Sequence, residues 1–115
     1  MRRGDIVAVT LDSVRGSEAS KTRPAVVVSN DAANATAARL GRGVITVVPI
    51  TSNVARIYPF QVLLRADQTG LRHDSKAQAE QIRSVAVERI GGQIGRLPAT
   101  VMARLDEALR VHLDL

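Results

Sequence analysis

Three runs of aliphatic residues in the first half of the chain constrain its fold most. They are DIVAVTL (5–11), AVVVS (25–29) and GVITVVPI (43–50). Valine and isoleucine favour strands, and Pro24, just before the second run, is tolerated at the start of a strand. Aromatic residues make up 2% of the chain, so the core must be built from aliphatic side chains. The first half therefore predicts a sheet.

The segments that connect these runs are polar. Residues 12–23 form a stretch longer than most connections inside a compact domain, and such loops often carry function. Residues 30–42 begin with Asn and Asp and continue with alanines, which predicts a short helical turn ended by Gly41. We predict further strands at 60–64, 76–79 and 81–84, a polar loop at 66–75, and a glycine-rich region that breaks up the chain at Gly91, Gly92 and Gly95.

The C-terminal segment has a different pattern, which predicts an amphipathic helix that begins at Pro98. Apolar residues recur there at spacings of three and four, and we expect them to contact the core: Val101, Met102, Leu105, Leu109 and His112–Leu113. Strands first and a helix last indicate an α+β fold on a small, curled antiparallel sheet. A length of 115 residues fits one domain, residues 1–115.

Composition narrows the possible functions. Sixteen Lys and Arg residues against eleven Asp and Glu give a net charge of +5, which suits a polyanionic partner or simply aids solubility. The absence of cysteine excludes disulfides, thiol nucleophiles and zinc–thiolate sites. No stretch approaches the ~20 apolar residues of a membrane span, and the MRRGD start lacks the apolar run of a signal peptide. We therefore expect a cytoplasmic protein with no membrane association.

The first candidate site lies where the polar 12–23 segment meets the second strand. Arg23 precedes a buried strand, so its backbone is expected to be fixed while its guanidinium binds phosphate through two hydrogen bonds. Ser17, Glu18 and Lys21 lie just before it. A surface arginine paired with a nearby carboxylate would explain this segment as well.

Two further groups of polar residues follow predicted strands. Thr51, Ser52 and Asn53 come at the end of the third strand, where hydroxyls can bond phosphate oxygens or simply bond the local backbone of a turn. In the segment 78–84, polar residues alternate with small or apolar ones, as in a sheet with one solvated face, and Gln81 and Arg83 would point the same way. Gln78 and Gln81 could contact base edges, or the segment could be a solvated sheet edge.

The two histidines, His73 and His112, are interpreted as structural or incidental, although some ribonucleases use a histidine pair. The spacing of Asp67 and Asp74 matches no metal-ligand pattern. We therefore expect neither a metal nor a cofactor.

Taken in order, several short motifs make the chain resemble the MazF/PemK family of toxin endoribonucleases. The motifs cover nearly the whole chain: Arg3-Gly4-Asp5-Ile6, Gly16-Ser17-Glu18, Arg23-Pro24 with AVVVSN (25–30), Val48-Pro49-Ile50-Thr51-Ser52, Tyr58-Pro59-Phe60, Asp74-Ser75 and Glu80-Gln81-Ile82-Arg83-Ser84.

The resemblance implies an SH3-like antiparallel β-barrel related to CcdB, with a C-terminal helix, and a homodimer bound by a cognate antitoxin. It also implies metal-independent cleavage of single-stranded RNA, usually mRNA, that leaves a 2′,3′-cyclic phosphate and a 5′-hydroxyl. The family's functional residues fall on Arg23 and Thr51, with Glu18, Ser52 and Gln81 nearby.

The sequence departs from many relatives at Val7, where they carry Trp or Tyr, and aromatic platforms for base stacking are scarce. Two alternatives stay open. One is a CcdB-like toxin that poisons DNA gyrase through its C-terminal helix, and the other is a non-catalytic RNA-binding barrel.

Overall fold

The computed structural model describes residues 1–11 and 21–115, which fold into seven strands and three α-helices. The strands are β1 (Asp5–Thr10), β2 (Thr22–Val27), β3 (Val44–Thr51), β4 (Gln61–Leu64), β5 (Ser75–Gln78), β6 (Arg83–Ala86) and β7 (Ile90–Arg96). The helices are α1 (Asp31–Leu40), α2 (Ala66–Thr69) and α3 (Ala99–Leu113), and 3₁₀ turns span Ala79–Gln81 and Val87–Arg89.

The strands form an antiparallel sheet in the order β4-β5-β3-β2-β1-β7. The long strand β3 organises it, because its first half pairs with β6 and its last two residues pair with β5. Within the described residues, β4 and β7 end this path and are not paired with each other. The predicted antiparallel sheet with a C-terminal helix is thus confirmed, whereas closure into an SH3-like barrel stays a prediction.

Both faces of the sheet are covered by apolar side chains. Because side chains alternate along a strand, Ile6 faces the cluster that packs under α3, while Val7 and Val9 face a second cluster near α1. Helix α3 contributes Val101, Leu105, Ala108 and Leu109 to the first cluster. The predicted core stripe is therefore right over most of the helix and wrong in its last turn, where His112 and Leu113 are exposed.

Local signals place the ends of α1 as the sequence predicts. The side chain of Asn30 accepts a hydrogen bond from the Ala33 N–H at 2.8 Å, which satisfies one of the unpaired amides at the start of a helix. Gly41 ends the helix with φ +65° and donates its N–H to the Ala37 carbonyl. This left-handed conformation suits glycine because it has no Cβ.

Two elements differ from the prediction. The sequence predicts that Gly91, Gly92 and Gly95 break up the chain, but all three lie in β7, which pairs with β1. Gly95 allows this, because a Cβ there would lie 1.8 Å from the Thr69 carbonyl oxygen. The expected polar loop at 66–75 contains α2, whose end lies against β7 at this point.

Two ion pairs hold the N-terminal segment in place. Arg3 contacts Asp106 of α3 at 2.7 Å, and the buried carboxylate of Asp5 contacts Arg96 of β7 at 2.5 Å. Among the helices of the described residues, none is long and apolar enough to cross a membrane.

Candidate active site

One pocket brings together residues from four parts of the fold. Strand β2 and the end of β3 supply one side of it, and the loop after α2 and strand β7 supply the other. Its volume is about 510 Å³, and its lining consists of Arg23, Pro24, Ile50, Thr51, Ser52, Leu71, Arg72, His73 and Ile94.

The register of β2 and β3 explains why Arg23 and Thr51 share this pocket. Ala25 lies opposite Pro49, and the strands are antiparallel. Arg23 lies two residues before Ala25, and Thr51 lies two residues after Pro49. In an antiparallel pair these two positions fall at the same end, so the two residues lie side by side. Arg23 is exposed, whereas the residues that follow Pro24 are fully buried. The strand thus fixes the backbone of Arg23 while its side chain reaches solvent.

The end of β3 presents hydroxyl groups to the pocket. The Oγ1 of Thr51 accepts a hydrogen bond from the Asn53 N–H at 3.3 Å, which leaves its own O–H available as a donor. On its other side Thr51 pairs with Lys76 of β5. Lys76 is buried and donates its Nζ to the Arg56 carbonyl at 2.6 Å, so its ammonium group is engaged away from the pocket.

The opposite wall is a short loop that carries Leu71, Arg72 and His73. The loop begins at Gly70, which ends α2 with φ +85°. It closes through hydrogen bonds from the Ala66 N–H to the Asp74 carboxylate at 2.8 Å and from the Ser75 hydroxyl to the His73 carbonyl at 2.9 Å. The sequence does not predict His73 or Arg72 in the site, because nothing in residues 66–75 indicates which side chains face β2 and β3.

The chemistry of the pocket suits a phosphodiester. Two guanidinium groups, from Arg23 and Arg72, provide permanent positive charge, and the hydroxyls of Thr51 and Ser52 add hydrogen-bond donors. In residues 1–11 and 21–115, no three His, Asp or Glu side chains lie together as a metal site would require. The described part of the pocket can therefore hold an anion and stabilise charge that develops on it.

The other predicted binding residues that the structure describes lie outside this lining. Lys21 is exposed just before β2, and the Asn53 side chain accepts from the Ala55 N–H at 3.2 Å within a local turn. Gln78 ends β5, Gln81 lies in a 3₁₀ turn between the two strands and Arg83 begins β6. The alternation that put Gln81 and Arg83 on one strand face is therefore wrong. Ser17 and Glu18 lie outside the described residues.

Aromatic surface is concentrated beside β4. The rings of Tyr58 and Phe60 stack with centroids 5.4 Å apart, and the guanidinium of Arg56 lies 5.6 Å from the centre of the Tyr58 ring. Tyr58 is exposed. This pair is the main flat apolar surface available to a base among the described residues.

Known proteins that are similar to this chain identify its family. Residues 2–113 match the model of a family described as PemK-like, MazF-like toxins of type II toxin–antitoxin systems. The chain belongs to this family. It is 70% identical to endoribonuclease MazF9 of Mycobacterium tuberculosis over 100% of the chain and 98% of that protein. It is 34% identical to endoribonuclease EndoA of Bacillus subtilis, over 100% and 96% of the two chains.

Solved structures agree with the sequence relationships. The toxin MazF-mt6 of M. tuberculosis superposes with a TM-score of 0.77 at 27% identity, covering 96% of this chain and 97% of that one. A MazF chain crystallised with MazE from Deinococcus radiodurans gives a TM-score of 0.75 at 27% identity, covering 100% and 96%. Family membership and the endoribonuclease class of enzyme, both predicted from the sequence, are confirmed.

Proposed function

We propose that this toxin cleaves single-stranded RNA, including mRNA, at a short sequence, and so inhibits translation and growth. In the proposed reaction the ribose 2′-oxygen attacks the adjacent phosphorus without help from a metal ion. The products are a 2′,3′-cyclic phosphate and a 5′-hydroxyl end. A single domain, residues 1–115, carries the activity. The observation that supports this most is the pocket in which Arg23 and Thr51 meet.

Arg23 stabilises the charge of the transition state in this mechanism. Attack by the 2′-oxygen places extra negative charge on the non-bridging oxygens of the phosphorane. A guanidinium stays protonated at all relevant pH values, and a cation positioned in advance needs little reorganisation when that charge appears. Among the described residues, no ion pair engages Arg23.

Thr51 and Ser52 assist Arg23 by donating hydrogen bonds to phosphate oxygens. The Asn53 N–H already occupies an acceptor site of the Thr51 hydroxyl, which favours an O–H directed toward a ligand. Glu18, the carboxylate of the first candidate segment, is a candidate for the proton acceptor. Glu18 lies outside the described residues, and its substitution tests this role.

The remaining RNA contacts are proposed for residues around the pocket. Ser17, Lys21 and Asn53 would contact the backbone near the cleaved bond. Gln78, Gln81 and Arg83 would contact neighbouring nucleotides, with the amides bonding base edges and the guanidinium bonding phosphate.

Two protein partners are also proposed. The family consists of toxins from type II toxin–antitoxin systems, so a cognate antitoxin is expected to bind across the proposed RNA-binding surface around the pocket and neutralise the enzyme. A second copy of the chain is expected to form a homodimer. Size-exclusion chromatography with light scattering, alone and with the co-expressed antitoxin, tests both.

Incubation with a long single-stranded RNA in the presence of EDTA tests the activity. The parent chain is expected to produce fragments with 5′-hydroxyl and 2′,3′-cyclic phosphate ends, and Arg23→Ala and Thr51→Ala are expected to produce few or none. Undiminished cutting by both variants would contradict the assigned site, and loss of parental cutting on chelation would contradict the metal-free mechanism. Gyrase inhibition without RNA cutting would favour a CcdB-like toxin, whereas RNA binding without cutting would indicate a non-catalytic barrel.

A further inference from the structure

We propose that His73 accepts the proton of the ribose 2′-hydroxyl during cleavage. This inference rests on the proposed ribonuclease function and adds a residue to its machinery. His73 belongs to the loop after α2 and lines the same pocket as Arg23 and Thr51.

The other described residues of the pocket cannot accept this proton. Arg23 and Arg72 stay protonated, and Thr51 and Ser52 are alcohols, no more basic than the group they would deprotonate. The rest of the described lining is hydrocarbon: Pro24, Ile50, Leu71 and Ile94. Imidazole is the side chain that exchanges a proton between about pH 5 and pH 8. Within residues 1–11 and 21–115, His73 is therefore the pocket's candidate base.

The fold holds the backbone of His73 in place. The Ser75 hydroxyl donates to the His73 carbonyl at 2.9 Å, and the Asp74 carboxylate ties the loop to the start of α2 through the Ala66 N–H. At the other end of the loop, a Cβ on Gly70 would lie 3.1 Å from the Ile94 carbonyl oxygen. This close packing on β7 fixes the wall of the pocket, and a fixed backbone is what positioned proton transfer requires.

The charged groups around His73 have separate tasks. Arg23 on β2 and Arg72 beside His73 line the same pocket, and in the proposed reaction they bind the phosphate. The Asp74 carboxylate accepts the Ala66 N–H. Strand β3 contributes the neutral hydroxyls of Thr51 and Ser52, and β7 contributes the hydrocarbon of Ile94.

Water is the only further reactant that the proposed step needs. The O2′–H bond breaks and its proton moves to a ring nitrogen of neutral His73. The O2′–P bond forms while the P–O5′ bond breaks, and the departing 5′-oxygen takes a proton from water. The imidazolium of His73 then returns its proton to hydroxide or solvent, which restores the neutral base.

Single-turnover cleavage from about pH 5 to pH 9 tests the assignment. The substrate is an RNA oligonucleotide that contains a site cut by the parent, and the variants are His73→Gln and His73→Ala in the full chain. We expect about a 10²- to 10⁴-fold lower rate at neutral pH, a dependence of the rate on pH that differs from that of the parent, and partial rescue of His73→Ala by added imidazole. His112→Gln, which changes the exposed histidine of α3, is the matched control and should keep the parental profile.

A binding measurement separates catalysis from folding and affinity. The same oligonucleotide with a 2′-deoxyribose at the cut position should bind His73→Gln within about twofold of the parent, because a base acts on the 2′-hydroxyl and not on the bound phosphate. A parental rate and pH profile for His73→Gln would overturn the proposal, as would Glu18→Gln removing the pH dependence while His73→Gln keeps it. A parent that leaves RNA intact would instead overturn the proposed function itself.

Discussion

Arg23 and Thr51 occupy matched positions on neighbouring antiparallel strands, each two residues beyond the Ala25–Pro49 pair. They line one pocket, with the guanidinium on β2 and the hydroxyl at the end of β3. A cation and a hydrogen-bond donor that face a common ligand from adjacent strands keep a fixed separation, because the sheet holds both backbones. The contribution of each side chain to the cleavage rate can therefore be measured separately by substitution.

Replacing Arg23 by lysine distinguishes charge from geometry. Lys keeps the positive charge but cannot make the paired hydrogen bonds of a guanidinium. We expect Arg23→Lys to lower the single-turnover cleavage rate about 10²-fold and Arg23→Ala to lower it about 10³-fold, with unchanged thermal unfolding. Arg39→Ala in the last turn of α1, also an exposed arginine, should cleave at the parental rate. Equal activity of the lysine variant and the parent would show that charge alone suffices.

Thr51 is tested by removing its hydroxyl at nearly constant volume. Thr51→Val should lower the cleavage rate about 10²-fold, because a donor to the developing phosphorane is lost. Thr51→Ser keeps the hydroxyl and should retain most of the activity. Circular dichroism melting curves serve as the control for folding. A serine variant as inactive as the valine variant would contradict the hydrogen-bonding role and indicate that the methyl group's packing matters.

Arg72 is expected to bind phosphate without specifying sequence. Contacts of this kind release counterions from the nucleic acid, so they appear in the salt dependence of binding. For a non-cleavable single strand, Arg72→Ala should reduce the slope of log Kd against log salt by about 0.7 and weaken binding to all sequences alike. Fluorescence anisotropy at several salt concentrations measures this. An unchanged slope would show that the Arg72 guanidinium does not touch the phosphate.

The sequence predicts those parts of the fold that depend on neighbouring residues. Asn30 and Gly41 mark the ends of α1, and the spacing of Val101 and Leu105 predicts α3, because capping and helical periodicity are local properties. Strand β7 could not be predicted in this way. Its glycines weaken any local strand preference. The close contact with Thr69 that requires glycine at Gly95 joins residues far apart in the sequence.

The candidate site likewise combines residues that the local sequence predicts with residues whose position depends on distant contacts. Arg23 and Thr51 flank buried strands and could be predicted individually, but their meeting depends on the β2–β3 register. His73 could not be predicted, since its place in the pocket depends on the way α2 and Gly70 pack against β7. The 3₁₀ turn at 79–81 interrupts the strand pattern that Gln81 and Arg83 suggested.

Asp5 should make part of the folding stability depend on pH. Burial raises the pKa of its carboxyl group, but the Arg2 N–H and the Arg96 guanidinium lower it by more, so its pKa in the folded chain is below the ordinary value of 3.8. Protons therefore bind the unfolded chain more tightly. The resulting stabilisation is fully present above about pH 4 and is lost as pH falls through the folded pKa.

Asp5→Asn is expected to lower the free energy of unfolding by about 1–2 kcal/mol at neutral pH. Arg96 is partly exposed, which limits the size of the effect. The difference from the parent should shrink as the pH is lowered below 3.8. Urea unfolding at a series of pH values measures it. A difference that is constant down to the acid limit would contradict a contribution from the ionised carboxylate.

Two glycines on β7 provide a matched test of how the pocket wall is built. A Cβ on Gly95 would lie 1.8 Å from the Thr69 carbonyl oxygen, whereas a Cβ on Gly92 would meet nothing within 4 Å. Gly95→Ala should therefore destabilise the chain by more than about 2 kcal/mol, and Gly92→Ala should stay within about 0.5 kcal/mol of the parent. Thermal and urea unfolding give both values. Because the displaced end of α2 leads directly into Leu71–His73, Gly95→Ala should also lower RNA cleavage under conditions where it is still folded. If Gly95→Ala were folded, stable and fully active, the contact between α2 and β7 would not position the loop that carries His73.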